Sequence, residues 1–405
     1  MEGTRMPVTS SERRELRVRA AVGTSTAADS VQAGTEAATA ALAGLGDDQP
    51  ALIIMYASIR YDLAALLHTV RRLTAPTPLV GATSSGHFQD GILTVPGAGV
   101  SVLALTAGGY RFGTASVTGV REHATQAGQQ LARAARAAAG PRHDRDAAMI
   151  LLATGLSGHQ QELLNGVHKV VGAKVPVVGG SAGDDRLLER TCVFDGDRLL
   201  TDGGAVAIWV DSPWPLNVVA DHGWEAVSLP LLVTKTDGQV VCEIGGRPAA
   251  DVFREHFDPD APQRKPGLVR PAPGYLSAYA FGLIEPDGTR LIRGAYLDGD
   301  GRLRTFTPLP PYAAVQIVTC TSADLLGVID DVVHEAVVGR DPSVLLAFSC
   351  VARLDVLAEQ GPVEASMIQE AAGEMTTFGF YTYGEFARTT RVAGYHNATL
   401  TAIAL

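Results

Sequence analysis

The sequence predicts an α+β protein made of two related halves, with mixed β-sheets packed together and helices on the outside. Three observations lead there. A buried strand, an amphipathic helix, a strand entering a small-residue turn and a further strand recur three times along the chain. A strand-rich section with Asp-Gly turns separates the second occurrence from the third. The composition, 46% apolar and 19% charged with 44 glycines, is that of an ordinary folded domain. At 405 residues the chain exceeds one ordinary core, so two or three packing units are expected.

The elements follow in order. "ALIIMYAS" from Ala51 reads as a buried strand, "YDLAALLHTVRRL" as a helix, "PLVGATSSGHF" as a strand entering a Gly/Ser turn, and "GVSVLALT" as a strand. From Ala147 the order returns as "AAMILLATG", "QQELLNGVHKVVG", "VPVVGGSAGDD" and "GGAVAIWV". It returns again as "SVLLAFSC", "VEASMIQEAAGEM", "TFGFYTYGEF" and "NATLTAIAL". Leu52 to Gly81 is 29 positions, Met149 to Gly179 is 30 and Leu345 to Gly379 is 34, which supports duplicated units. Between them, about 228–326 reads as antiparallel hairpins, "LLVTKTDGQVVCEIGG" among them, and "RPAADVFREHF" as a short helix. The proline-rich 258–274 is expected to be a surface loop or mobile lid. The halves are expected to divide near "DSPWPLN", with a charged tail at 1–20, then 21–213 and 214–405.

Several functional classes are set aside by composition. A net charge of −10 disfavours nucleic acid as a partner. Cys192, Cys242, Cys320 and Cys350 form no CxxC pair, so neither a zinc cage nor a disulfide framework is signalled. No secretory signal and no membrane-spanning apolar run are read, which points to the cytoplasm.

"VGATSSGHF", "VVGGSAGDD", "LLAFSCVARLDVL", "GFYTYGEF" and "YHNATLTAIAL" resemble the FIST domains, an N-terminal and a C-terminal module found together in signal-transduction proteins. The likeness runs from "VGTSTAADSVQAGTEAA" at 22–38 to the last residue, and would make 21–213 the N-terminal and 214–405 the C-terminal module. The resemblance implies a sensory module that binds small molecules such as amino acids; some members bind haem. No resident cofactor is expected here, haem being the alternative. No output domain is read in the chain, so a separate signalling protein is the expected partner.

Candidate site residues follow. In Gly179, Gly180, Ser181, Ala182 and Gly183, bare main chain can offer amides to an anion, and Asp184 and Asp185 can hold an ammonium group, or the stretch is only a tight turn. Alternation places Tyr381, Tyr383 and Glu385 on one strand face, with Gly384 permitting close approach; both phenols can equally be core residues. Cys350 is either a nucleophile or a small buried hydrophobe, and Arg353 either clamps a carboxylate or pairs with Glu385. His396 and Asn397 precede the last strand; the histidine can be a ligand contact, a catalytic base, a haem ligand or a turn residue. Ser157 and Gln160 read as a capping box, and "GLSGHQQ" misses the hydrolase elbow. The leading expectation is a ligand-binding sensor whose pocket is shared by the 179–183 bend and the 381–385 ribbon. The alternatives are an enzyme using Cys350 or Asp185 with His396, and a scaffold whose glycine turns serve packing alone.

Overall fold

The computed structural model describes residues 16–141, 146–256, 275–388 and 393–405. The 258–274 segment and all but the end of the charged tail lie outside the described residues.

Among the described residues the chain is a threefold repeat of one unit, eight elements long in its first two copies and with two short extra helices in its third. The first unit is β1 (Ala20–Ser25), α1 (Ser30–Gly44), β2 (Leu52–Ser58), α2 (Leu63–Thr74), β3 (Leu79–Ser84), β4 (His87–Gln89), β5 (Ile92–Thr94) and β6 (Val100–Leu105). Local chemistry sets these elements. Asp62 caps α2 by accepting from the amides of Ala64 and Ala65, and Leu63, Leu66, Leu67 and Val70 recur at helical spacing on its buried face. The second unit is β7 (Arg111–Val117), α3 (Val120–Ala138), β8 (Asp146–Thr154), α4 (Gln160–Val171), β9 (Val177–Ala182), β10 (Val193–Asp195), β11 (Arg198–Leu200) and β12 (Ala205–Ser212). The third opens with β13 (Val218–Asp221) and is then interrupted.

The interruption is β14 (Glu225–Ala226), β15 (Leu231–Asp237), β16 (Val240–Ile244), β17 (Arg247–Pro248), α5 (Ala249–Arg254), β18 (Tyr275–Ile284), β19 (Arg290–Leu297), β20 (Leu303–Thr305) and β21 (Ala314–Thr319). All its pairings are antiparallel, as the Asp-Gly turns predict. Because β21 pairs with both β15 and β18, the sheet closes into a barrel. Phe281, Ile317, Val233, Leu303 and Phe253 fill it. The third unit resumes with α6 (Ser322–Gly327), α7 (Ile329–Val337), β22 (Val344–Cys350), α8 (Val351–Leu357), α9 (Gly361–Ala372), β23 (Thr376–Thr382), β24 (Glu385–Arg388), β25 (Ala393–His396) and β26 (Leu400–Ala404).

Each unit builds four strands of a mixed sheet, and a neighbouring unit supplies the last two. The orders are β1-β6-β2-β3-β10-β11, β7-β12-β8-β9-β24-β25 and β13-β26-β22-β23-β4-β5. The hairpin of the first unit thus completes the third sheet, that of the second completes the first, and that of the third completes the second. The inner faces of all three sheets meet in one core, where Tyr56, Leu152 and Phe348 hold equivalent places. Helices cover the outer faces: α1 and α2, α3 and α4, α7 and α9. Mixed sheets with helices outside were the sequence's prediction. Two units fall in the N-terminal half, and the third unit with its barrel in the C-terminal half.

One contact repeats at every exchange. Gly81, Gly179 and Gly379 lie opposite Met55, Leu151 and Ala347 in the parallel pairs. On their other side they face Phe194, Phe386 and Phe88 of the incoming hairpins. All three rings are fully buried. A Cβ at Gly379 would stand 2.3 Å from the Ala347 carbonyl oxygen and 2.4 Å from Phe88 Cζ. Glycine is there because nothing else fits. The register also makes Ile53, rather than Leu52, the counterpart of Met149 and Leu345.

Gly379→Ala should therefore lower stability by about 1–3 kcal/mol in chemical denaturation, as overpacking does. Gly327→Ala, whose Cβ would meet nothing within 4 Å, should stay within about 0.5 kcal/mol of the parent.

Candidate functional site

The loops that follow the parallel pairs β8/β9 and β22/β23 gather against one wall of the barrel. There they enclose a pocket of about 330 Å³. Carboxyl ends of parallel strands are where open α/β sheets bind ligands, because the chain turns away and leaves a crevice. Tyr296 and Phe306 of the barrel, ring centroids 5.0 Å apart, form an aromatic wall. Gln160, Arg186, Asp355, Cys350, Tyr383, Tyr395 and Asn397 are among the side chains of the other walls.

The predicted residues divide into those that reach this pocket and those that support it. Cys350, Tyr383 and Asn397 line it. The glycine bend and the Tyr-Gly-Glu ribbon are side by side, but joined directly: Gly180 pairs with Glu385 and Gly179 with Phe386. The Ser181 amide donates to the Gly384 carbonyl (2.8 Å), that of Gly183 to Thr83 (3.0 Å) and that of Asp185 to Ser84 (3.1 Å). Those amides are committed to backbone and offer no anion nest. Ala182, too, is fully buried.

Both acids of the bend shape the main chain. Asp184 accepts from the amides of Leu188 (2.9 Å), Glu189 (2.6 Å) and Arg190 (2.8 Å), and Tyr383 donates its hydroxyl to the same carboxylate. Asp185 accepts from Ser58 Oγ (2.5 Å), the Ile59 amide (3.1 Å) and the Gly97 amide (2.7 Å). Burial pushes its pKa up, against those hydrogen bonds. Asp185, Arg186 and Leu188 all hold positive φ, at 55°, 69° and 57°. Such backbone persists where surrounding contacts dictate it. The strained loop delivers Arg186 to Asp355 of α8, an ion pair about nine-tenths buried that joins the second unit to the third beside the pocket.

The 377–386 stretch is two strands, not one, and this changes which faces its side chains reach. β23 ends at Thr382, and Gly384 (φ 144°) turns the chain into β24 on the neighbouring sheet. A Cβ on Gly384 would lie 2.2 Å from the Tyr395 hydroxyl. Tyr381 therefore faces the helices and donates to Glu364 Oε2 at 2.6 Å. Arg353 pairs with Glu364 (2.7 Å) and donates to the Leu325 carbonyl (2.8 Å), so its partner is neither a ligand nor Glu385. Glu385 is fully buried, accepting from Thr382 Oγ1, the Thr399 amide (3.2 Å) and the Cys350 thiol. Burial pushes its pKa up to about 8, and burial with the Glu385 carboxylate pushes the Cys350 thiol up too.

His396 is buried, and its Nε2 has no partner. Burial first, then Arg293 and His222, hold its pKa down at about 3. Neither Cys350 nor Asp185 is hydrogen-bonded to it among the described residues. No histidine is among the residues lining the pocket. No cluster of metal-ligating side chains occurs among the described residues.

Sequence reasoning missed Gln160, Arg186, Asp355, Tyr296, Phe306 and Tyr395. Ser157 and Gln160 are not a capping box: α4 starts after His159, and Gln160 Nε2 donates to Ser157 Oγ and the carbonyls of Thr154 and Gly155, all at 3.2 Å. Tyr395 stands beside the predicted His396 and was within reach. The barrel aromatics carried no local signal beyond hairpin alternation.

Residues 51–247 match the FIST N domain model and residues 249–388 the FIST C domain model. The chain belongs to the FIST family. FIST domains are sensory signal-transduction domains. Gly155, Gln160 and Arg186 of the pocket come from the FIST N segment, and Cys350, Asp355 and Tyr383 from the FIST C segment. No curated protein matches the chain. Among solved structures, a cyanuric acid hydrolase from A. caulinodans is similar at a TM-score of 0.30 and 12% identity, over 50% of this chain and 71% of that one. At that level the hydrolase chemistry is that protein's own.

Two tests address the buried groups around the FIST pocket. Glu364→Gln leaves the Arg353 guanidinium buried without a countercharge and should cost about 3–5 kcal/mol in thermal or urea unfolding. Glu385 keeps its proton up to about pH 8 in the folded chain, against 4.5 ordinarily. The folded state therefore binds the extra proton between those values. The stability this gives is full below about pH 4.5 and is lost as pH rises through about 8. Glu385→Gln should flatten that decline, which pH-dependent denaturation of both proteins measures.

Proposed function

We propose that this FIST protein is a ligand-binding sensor for an amino acid or related metabolite, and that it passes its signal to a separate partner protein. The observation that carries this reading is the 330 Å³ pocket where the FIST N and FIST C segments meet. Its size suits a small molecule, and an aromatic wall facing polar groups is the usual make-up of such sites. The Arg186–Asp355 pair puts both signs of charge at one edge, which complements a zwitterion. The Cys350 thiol favours binding over nucleophilic chemistry, because its proton is held tightly and the histidine that would take it bonds elsewhere or not at all.

A thermal-shift screen of the twenty L-amino acids and related metabolites tests the proposal. A ligand that binds only the folded chain at a hundred times its Kd adds about 2.7 kcal/mol, enough to raise the melting temperature visibly. Phe306→Ala, which removes half of the aromatic wall, should shrink that shift. No shift from any compound at millimolar concentration would count against the sensor.

A further inference from the structure

Among the described residues that line the FIST pocket, two side chains carry charge. Arg186 comes from the FIST N segment and Asp355 from the FIST C segment, and they pair with each other. Both are about nine-tenths buried. The rest of the lining is aromatic, aliphatic or carboxamide, with Tyr296, Phe306, Val351, Gln160, Gln239 and Asn397 among it.

The titratable groups of the walls keep their protons. Burial first, and then the Glu385 carboxyl it donates to, push the Cys350 thiol up. Tyr383 gives its hydroxyl to Asp184 and Tyr395 gives its own to Ser181 Oγ (2.9 Å), and burial pushes both phenols up. Behind the walls the charges also cancel. Asp184 lies on three amides beneath Tyr383, and Arg293 donates to the Tyr395 carbonyl (2.8 Å), its pKa lowered by burial to about 10 but its charge retained at neutral pH. Burial leaves Glu385, with a pKa of about 8, mostly uncharged there, and His396, at about 3, neutral.

The place of each partner is set by the fold as well as by their attraction. Asp185, next to Arg186, is tied to the first unit through Ser58 (2.5 Å) and the Gly97 amide (2.7 Å). Asp184, on its other side, is tied to the amides of residues 188–190. Asp355 stands on α8, immediately after the buried strand β22. The two segments therefore each bring one charge to a fixed point, and the pocket is balanced only when both are present.

We propose that the Arg186–Asp355 pair sets the charge selectivity of the pocket, which accepts ligands of zero net charge, neutral zwitterionic amino acids with an apolar body, and rejects a net charge of either sign. The inference rests on reading the pocket as a ligand site and names the ligand's charge class and the residues that enforce it. A charged group entering the pocket gives up water, and a buried ion with no countercharge is strongly disfavoured. A zwitterion brings its own countercharge, while its apolar body lies against Tyr296 and Phe306. Rejection by uncompensated charge is a recurrent way for a site to discriminate.

Calorimetry on the whole chain at pH 7 tests this with L-leucine, L-leucinamide and N-acetyl-L-leucine. The three share a side chain and carry no net charge, a positive charge and a negative charge. The parent should bind L-leucine at least about tenfold more tightly than either of the others. Asp355→Asn leaves Arg186 unbalanced and should shift the ratio of affinities about tenfold toward N-acetyl-L-leucine over L-leucinamide. Arg186→Gln should shift it about as far the other way. The double variant, with no charge on either residue, should prefer L-leucine again, and it keeps the test open should a single variant fail to fold, as melting temperatures will show. A pair that only ties the segments together would lower melting temperatures and leave the order of the three probes unchanged in every variant. That result, or equal affinity of the parent for all three, would overturn the charge selectivity while leaving the pocket a ligand site. Binding of none of the three by the parent would overturn both readings.

Discussion

The structure depends on each unit being unable to finish its own sheet. β3, β9 and β23 would each end as an open edge of unpaired amides and carbonyls, and open edges of buried strands are not tolerated. The hairpin that covers each edge comes from a different unit, and the circle closes after three. Its fit is set by glycine meeting phenylalanine: Gly81 with Phe194, Gly179 with Phe386, Gly379 with Phe88. The shared core around Tyr56, Leu152 and Phe348 exists only when all three exchanges are made. The FIST N and FIST C segments are tied in both directions, since β4–β5 completes the third sheet and β24–β25 the second.

This exchange explains why so many charged groups are buried without being the site. Where a chain leaves one sheet for the next, its turn is covered by the neighbouring unit and its polar groups must be satisfied in place. Asp184 gathers three amides and a phenol under one crossover. Glu364 collects Arg353, Ser349 and Tyr381 beneath α9. These networks hold the walls in position, and the pocket borrows their rigidity.

The sequence made the repeat legible because its signals are local. Apolar runs of strand length, helical spacing and a glycine at a nearly constant offset can be read without knowing what packs on what. The adjacency of the 179–183 bend and the 381–385 ribbon was also within reach. Its consequence was not: strand alternation put Tyr381, Tyr383 and Glu385 on one face, whereas a positive φ at Gly384 sends the chain to another sheet and the three side chains to three surroundings. Arg186 and Asp355 lie 169 positions apart, and their pairing is a fact of tertiary structure alone. Tyr296 and Phe306 came from a section whose hairpins were predicted but whose closure into a barrel, and placement over the pocket, no local pattern encodes.

The pocket lies where the repeat is broken. A perfect threefold repeat would give three equal turns at the ends of β2, β8 and β22, each sealed in the same way. Two departures prevent that. The long crossover of the second unit brings Asp185 to Ser58 at the end of β2, Thr191 to Gly155 after β8, and Arg186 to the pocket's edge. The barrel inserted after β13 stands against the end of β22 and walls the pocket there with Tyr296 and Phe306. Symmetry thus places the three strand ends, and the insertions decide which of them faces a pocket. That division of labour follows from the physics of the parts: the exchanged strands cannot vary without losing the core, while loops between them can lengthen at small cost in closure entropy.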